Sequence, residues 1–276
     1  MKIAISSESS VDLDKVLLEK YDIHVIPYQI LLGDRIETDD QISPEEIFDY
    51  AQKNKILPKT SALNSEEYKY FFEELLKSYD KVIHLSLSSG ISSTFYNAQK
   101  AAEGLENVTV IDSSSLSTGI GIKAIRLREL LESGMPEVEA IENIKNMKVQ
   151  VSALISKLDY MYKGGRCSSL AYFGANLLKL KPRIVVLDGK VKNSHIYRGK
   201  FEKAFKDYVF DTLKEFPAKK EFVSITYTTA SQELLNQAKE ICEEQGFKNV
   251  IFTQAGATVS CHCGENCIGI MYECLK

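Results

Sequence analysis

A repeated order of short apolar strand, serine-rich loop and helix constrains the first half of this 276-residue chain more than any other feature. Lys2–Ser6 (KIAIS) reads as a short buried strand, and a helix is expected from about Asp12 to Lys20. His24–Leu32 (HVIPYQILL) reads as extended up to a turn at Gly33-Asp34. Pro44 after Ser43 suits a helix start, and Ser65 is expected to cap the next helix. There Tyr68, Phe71, Phe72, Leu75, Leu76 and Tyr79 recur at helical spacing and form one wide apolar face. Lys81–Leu87 and Asn107–Ile111 are further strands, each followed by a serine-rich loop and a helix. Strands joined through helices run parallel, because the crossover returns the chain to the same end of the sheet. The expected fold class is therefore α/β, with a mostly parallel N-terminal sheet and helices on both faces.

The pattern changes near Gln150. After VSALIS come a Gly-Gly pair and two strands, Pro182–Leu187 and Lys190–Ile196, joined at Asp188-Gly189. A long helix then places Phe201, Ala204, Phe205, Tyr208, Val209 and Leu213 on one side. A strand (Glu221–Tyr227), a helix (Ser231–Gln245) and two final strands complete an α+β half. Two domains are expected, 1–150 and 151–276, each long enough to bury its own core.

Composition narrows the class of function. With 44% hydrophobic and 26% charged residues the chain is globular, and a net charge of −4 gives no footprint for nucleic acid. The opening MKIAISSESS lacks a signal-peptide core, and no apolar run approaches the ~20 residues that span a bilayer. A cytoplasmic protein with reduced cysteines is expected.

Ligands of an open parallel sheet collect where its strands end and its helices begin. The stretches there are rich in hydroxyls: SSESS (6–10), PKTSALN (58–64), SSGISS (88–93) and DSSSLSTG (112–119). Each serine alone is explained by helix capping, whereas the four stretches together suit a carboxylate or phosphate. There is no G-x-S-x-G elbow, P-loop or G-x-G-x-x-G, so neither a serine hydrolase nor a nucleotide enzyme has a signature. His24 and His84 fall inside predicted strands, which leaves His195 and His262 as plausible bases. Near the C-terminus CHCGENC gathers Cys261, Cys263 and Cys267 around His262, but C-x-C-x3-C is not a standard zinc spacing.

Several stretches together resemble the DegV family of bacterial fatty-acid-binding proteins, across essentially the whole chain. LDYMYKGGRCSSLAYFGANLLKLKP is the most specific of them, with its ordered Gly164-Gly165-Arg166. PKTSALNSEEY, SLSSGISSTFYNA and SCHCGENCIG resemble three further family segments, with Ala62-Leu63, Ser93 and Glu265-Asn266 at positions where the family usually differs. SSESSVDL is similar to the family's opening, although Glu8 stands where Asp is usual.

The resemblance implies a non-catalytic carrier that holds a long-chain fatty acid as ligand, with no cofactor and no metal, and serves phospholipid metabolism. Thr60, Ser61, Ser92 and His262 would hold the carboxylate, and the cysteines around His262 would be incidental thiols. A separate fatty-acid kinase would convert the carboxylate to an acyl phosphate, with transient contact at a membrane surface. Arg166 would face the incoming phosphoryl group or the kinase, where capping a carbonyl or a surface ion pair is the alternative. Lys163, Lys179, Lys181 and Arg183 add positive charge nearby. A tunnel for the tail is expected at the seam between the halves, lined by residues such as Ile91, Leu116, Ile120, Phe173 and Ile184, each of which ordinary core packing would also explain. The competing reading is a lipid-directed hydrolase or acyltransferase using Ser92 and His262.

Overall fold

The computed structural model describes residues 1–166 and 180–275, so Cys167, Phe173 and Lys179 lie outside the described residues. The first half runs β1 (Ile3–Glu8), α1 (Lys15–Lys20), β2 (Ile23–Ile26), β3 (Gln29–Leu32), β4 (Arg35–Thr38), α2 (Pro44–Asn54) and β5 (Lys59–Ser61). It continues with α3 (Ser65–Leu76), β6 (Lys81–Ser86), α4 (Thr94–Ala102), β7 (Val108–Asp112), α5 (Thr118–Glu132) and α6 (Glu137–Asn146). The second half runs β8 (Val149–Leu154), α7 (Leu158–Lys163), β9 (Leu180–Leu187), β10 (Lys190–Arg198) and α8 (Phe201–Glu215). Then come β11 (Val223–Tyr227), α9 (Gln232–Glu244), β12 (Val250–Gln254), α10 (Ala257–Cys263) and β13 (Ile268–Glu273).

The fold is α/β with a parallel sheet in the first half and a mixed sheet in the second. Four strands form the parallel sheet in the order β2-β1-β6-β7. Ile5, Ile83 and Leu85 are fully buried on it, and Tyr68 and Phe72 of α3 close over the same core. Removing the Phe72 ring would cost roughly 3–5 kcal/mol, because a well-packed site refills a large void poorly. The second sheet has the order β10-β9-β8-β13-β11-β12, antiparallel except for β11 beside β12. Its core takes Ala204, Phe205, Tyr208 and Val209 from α8 and Leu235, Ala238 and Cys242 from α9.

Four local expectations are corrected. The stretch 24–32 is not one strand: it breaks at Pro27-Tyr28, where Pro27 has no N–H to give a sheet. β2 stays in the parallel sheet, while β3 joins β4 and β5 in a separate antiparallel sheet. The first helix starts only at Lys15, capped by Asp14, because Asp12 adopts a left-handed backbone (φ 48°). Asn64 rather than Ser65 caps α3, accepting from the N–H groups of Glu66 and Glu67 while Glu67 reaches back to Asn64 N at 2.7 Å. Between the two final strands lies α10, which the sequence reading did not anticipate. Thr, Val, Ser and Cys are weak helix formers, and α10 is supported from outside: Asp12 accepts from Gly256 N at 2.8 Å and Asp39 from Thr258 N at 3.0 Å. This short helix from the second half packs on α2, β3 and β5 of the first.

Candidate functional site

The seam around α10 encloses two chambers that share Leu116, Met161, Val191, Val259 and Cys263 as common wall. One contains about 480 Å³ of atom-free space, part of it open to solvent, between apolar side chains such as Val151, Ile155, Ile184 and Met271. The other, with about 650 Å³ counted in the same way, is apolar at Leu87, Ile91 and the shared wall and carries a group of polar side chains besides. All five residues singled out from the sequence, Thr60, Ser61, Ser92, Arg166 and His262, line this second chamber. Of the residues expected along a tunnel, Ile91, Leu116 and Ile184 line the chambers, whereas Ile120 does not. Ile120 faces the core of the first half from α5, where burial is complete.

Each polar residue is delivered by a different element. Thr60 and Ser61 end β5, Ser92 precedes α4, and His262 lies in the last turn of α10. Thr60 Oγ1 and His262 Nε2 are 2.9 Å apart across the seam. The other ring nitrogen, Nδ1, is buried without a hydrogen-bond partner among the described residues. Gly164 makes room for it: a Cβ there would lie 2.9 Å from Nδ1. Burial pushes the His262 imidazole down to about 4, and the Arg166 guanidinium adds to the effect, so the ring is neutral at pH 7. A neutral ring offers one N–H donor, enough to share in holding an anion.

Ser92 Oγ donates to Thr94 Oγ1 at 3.0 Å and accepts from Thr94 N at 3.3 Å. It makes no hydrogen bond to His262 among the described residues, so the nucleophile and base of the hydrolase reading are not joined. The backbone of SSGISS is less available than expected. The N–H groups of Ser89, Gly90, Ile91 and Ser92 are all engaged within the loop or by Asp112, which leaves side chains to face the chamber. The exposed Arg166 folds back so that Nη1 donates to Gly164 O at 2.7 Å. Arg183 does not add to local positive charge: it is buried, pairs with Glu215 and donates to Ser194 Oγ at 2.7 Å.

Some hydroxyls of these stretches tie the halves together: Thr118 joins Thr226 and Thr253 of the second half at 2.9 Å each and Ser88 donates to Gly189 O at 2.7 Å, whereas Ser117 donates to Asp12 within the first half. His84 is also structural. With Tyr68, Ser86 and Leu87 N it surrounds the buried carboxylate of Glu8 at 2.6–3.0 Å. His24 bonds Tyr79 at 2.8 Å, and His195 is exposed on β10, away from the chambers.

Ser10, Tyr28, Met161 and Thr258 also line the polar chamber and were missed. Ser10 belongs to the flagged SSESS stretch, but nothing in the sequence separates it from Ser6, Ser7 and Ser9, which turn to His84, Leu85 O and Tyr28 N. Thr258 becomes visible only once α10 is known, since it then shares a face with His262.

The thiols are packing groups by their surroundings. Cys261 is buried and pushed up to about 12 by that burial. Cys267 is pushed well up by its hydrogen bond with Cys263 and by burial. Among the described residues no three His, Cys, Asp or Glu side chains group as metal ligands would. None of the described helices is long and apolar enough to cross a membrane.

Known proteins agree with this architecture. The crystal structure of DegV from Bacillus subtilis, a fatty acid binding protein, superposes with a TM-score of 0.84 at 27% identity, with both chains fully covered. A DegV lipid binding protein from Thermotoga maritima gives 0.86 at 27% identity, covering 100% of this chain and 99% of its own. By sequence, the protein DegV of Bacillus subtilis is 32% identical over the full length of both chains. The model of the DegV family, described as an uncharacterised protein family, matches residues 2–274. The chain belongs to the DegV family.

Proposed function

We propose that this chain binds one long-chain fatty acid and presents its carboxylate to a separate fatty-acid kinase. The observation that carries the reading is the contact of Thr60 with His262 in one of two adjoining chambers, the other of which is lined mainly by apolar side chains. The tail occupies the apolar chamber, where burying about a dozen methylenes at ~0.8 kcal/mol each contributes on the order of 10 kcal/mol. The carboxylate must find donors where it is buried, and the hydroxyls of Thr60, Ser61 and Ser92 with the neutral ring of His262 supply them. Fatty acid binding by the Bacillus subtilis DegV and lipid binding by the Thermotoga maritima protein support the assignment.

In this reading the cavity lies at the seam between domains 1–150 and 151–276, in a cytoplasmic carrier that meets membrane surfaces transiently. Arg166 releases the Gly164 carbonyl and pairs bidentately with the phosphoryl group that the kinase delivers. The carrier itself has no turnover, and the lack of a Ser92–His262 bond supports that reading over a hydrolase.

The test is calorimetry on delipidated protein with hexadecanoate, paired with mass spectrometry of an organic extract of the protein as purified. One acid per chain is expected, and absence of binding to any long-chain acid would sink the reading. Thr60→Val should weaken binding by about 1.5–3 kcal/mol, the worth of a hydrogen bond to a charged group. Arg166→Ala should bind the acid normally and fail in acyl-phosphate formation with the kinase.

A further inference from the structure

Two hydroxyls in the polar chamber have no partner among the described residues: Ser10 Oγ and Thr258 Oγ1. Both are more than nine-tenths buried, with 1% and 7% exposure. The Tyr28 hydroxyl lies close enough to Ser10 for that contact to favour its ionised form, but the geometry falls short of a hydrogen bond, and Tyr28 itself donates to Thr94 Oγ1 at 3.1 Å. Thr258 sits four residues before His262 on α10, so the two side chains share a face roughly one turn, about 5–6 Å, apart. Buried polar atoms are nearly always satisfied, and two orphans lining one cavity mark where a ligand or a water supplies the missing bonds. An unsubstituted alkyl chain passing this point leaves both unsatisfied.

We propose that Ser10 and Thr258 form a hydroxyl-recognising subsite, and that the chain prefers a fatty acid carrying a hydroxyl group close to its carboxylate, of which a 3-hydroxy acid is the working example. The proposal rests on the fatty-acid reading above and names the substrate class within it. A ligand hydroxyl fits the pair because it donates one hydrogen bond and accepts others, as an orphan serine and an orphan threonine together require. A second carboxylate fits badly. Asp39 accepts from Thr258 N at 3.0 Å and keeps its other oxygen buried without a partner among the described residues, and both Asp39 and Glu8 lie close enough to Tyr28 of this chamber to disfavour its ionised form. Two carboxyl groups already border this corner, so a neutral group is favoured over a third. Because the two hydroxyls come from two elements packed on each other, the turn Ser9–Val11 and α10, the subsite is chiral and reads one configuration of the substituted carbon.

The experiment is calorimetry on the delipidated full chain with hexadecanoate and with each enantiomer of 3-hydroxyhexadecanoate. One enantiomer should bind ~5- to 10-fold tighter than hexadecanoate, the gain of about one satisfied hydrogen bond, and the other should not. In a Ser10→Ala/Thr258→Val double variant that ratio should fall to about one. The single Thr258→Val variant is nearly isosteric and keeps the test open if the double variant fails to fold. Equal affinity for all three acids in the parent chain overturns the proposal and leaves a water in the subsite. A double variant that weakens every acid by the same factor also overturns it, because the two hydroxyls would then be carboxylate ligands. No binding of hexadecanoate or either hydroxy acid by the parent chain overturns both this proposal and the fatty-acid reading. Normal hexadecanoate binding without preference overturns the subsite alone.

Discussion

Glu8 closes β1 inside the parallel sheet, whereas Asp12, just beyond it in the chain, faces α10 from across the seam. Both carboxyls are buried, and their surroundings act in opposite directions. Burial alone would raise Glu8, but the charge His84 can carry, together with bonds from His84, Tyr68 and Leu87 N, outweighs it and holds Glu8 below its ordinary value. Asp12 has only Ser117 and Gly256 N as donors and Asp39 close by, and burial pushes it up to about 8. A Cβ on Gly256 would lie 3.1 Å from Asp39 and 3.5 Å from Asp12, so the two acids flank the start of α10 together. The difference separates two uses of a buried acid. Inside the sheet it is a charge completed by partners; at the seam it is a neutral acid that holds the helix carrying Thr258 and His262.

The largest test of this contrast is Glu8→Ala. It leaves Tyr68, His84, Ser86 and Leu87 N without their common acceptor. Each buried donor left unsatisfied costs about 1–3 kcal/mol, so the loss is a large share of a typical domain's stability. Urea titration should show that loss at pH 7; a loss under about 1 kcal/mol would mean the network is not holding the sheet edge. The pH dependence has a definite sign. Glu8 is lowered, so its contribution is present above its ordinary 4.5 and disappears as pH falls through the folded value.

Asp12 gives the opposite sign and a somewhat smaller effect. Its folded value near 8 exceeds the ordinary 3.8, so the folded chain keeps a proton that the unfolded chain releases. The contribution is full below 3.8 and is lost as pH rises through 8. Asp12→Asn carries no such proton. The stability gap should move in favour of the variant by up to about 1.4 kcal/mol per pH unit, or roughly 2–3 kcal/mol between about pH 5 and pH 7. A gap that stays constant over that range would show Asp12 ionised in the fold and remove the contrast with Glu8.

The same contrast explains what the sequence can reveal. Parallel strands buried on both faces are continuous apolar runs, so KIAIS and KVIHLS are legible without tertiary information. That Thr60, Ser92 and His262 line one chamber is legible because whole motifs mark them, even though Thr60 and His262 meet only across the seam. The helix α10 is not legible, because its own residues favour helix weakly and its support comes from Asp12 and Asp39 near the other end of the chain. For the same reason the reading of Glu8 as a replacement for the family's usual Asp did not reveal its role: four partners of a buried acid cannot be counted along one dimension. Hydroxyls are the hardest case. Ser10 and Ser6 are alike in the sequence, and only the path of the backbone turns one to the chamber and the other to His84.

The smallest effects sharpen the comparison most, because they remove one donor from each acid. Ser86 donates to Glu8 at 2.8 Å and Ser117 donates to Asp12. A hydrogen bond to a charged group contributes about 1.5–3 kcal/mol and one between neutral groups about 0.5–1.5, so Ser86→Ala should cost more than Ser117→Ala at pH 7. Both substitutions remove a bond that favours the ionised form, so both move the affected acid upward. Glu8 then moves back towards 4.5, and acid unfolding of Ser86→Ala should begin at higher pH than in the parent. Asp12 moves above 8, so the alkaline loss in Ser117→Ala should be completed at higher pH than in the parent. Equal costs at pH 7 would mean that the two acids carry the same charge there, and the division between a charged sheet edge and a neutral seam would fail.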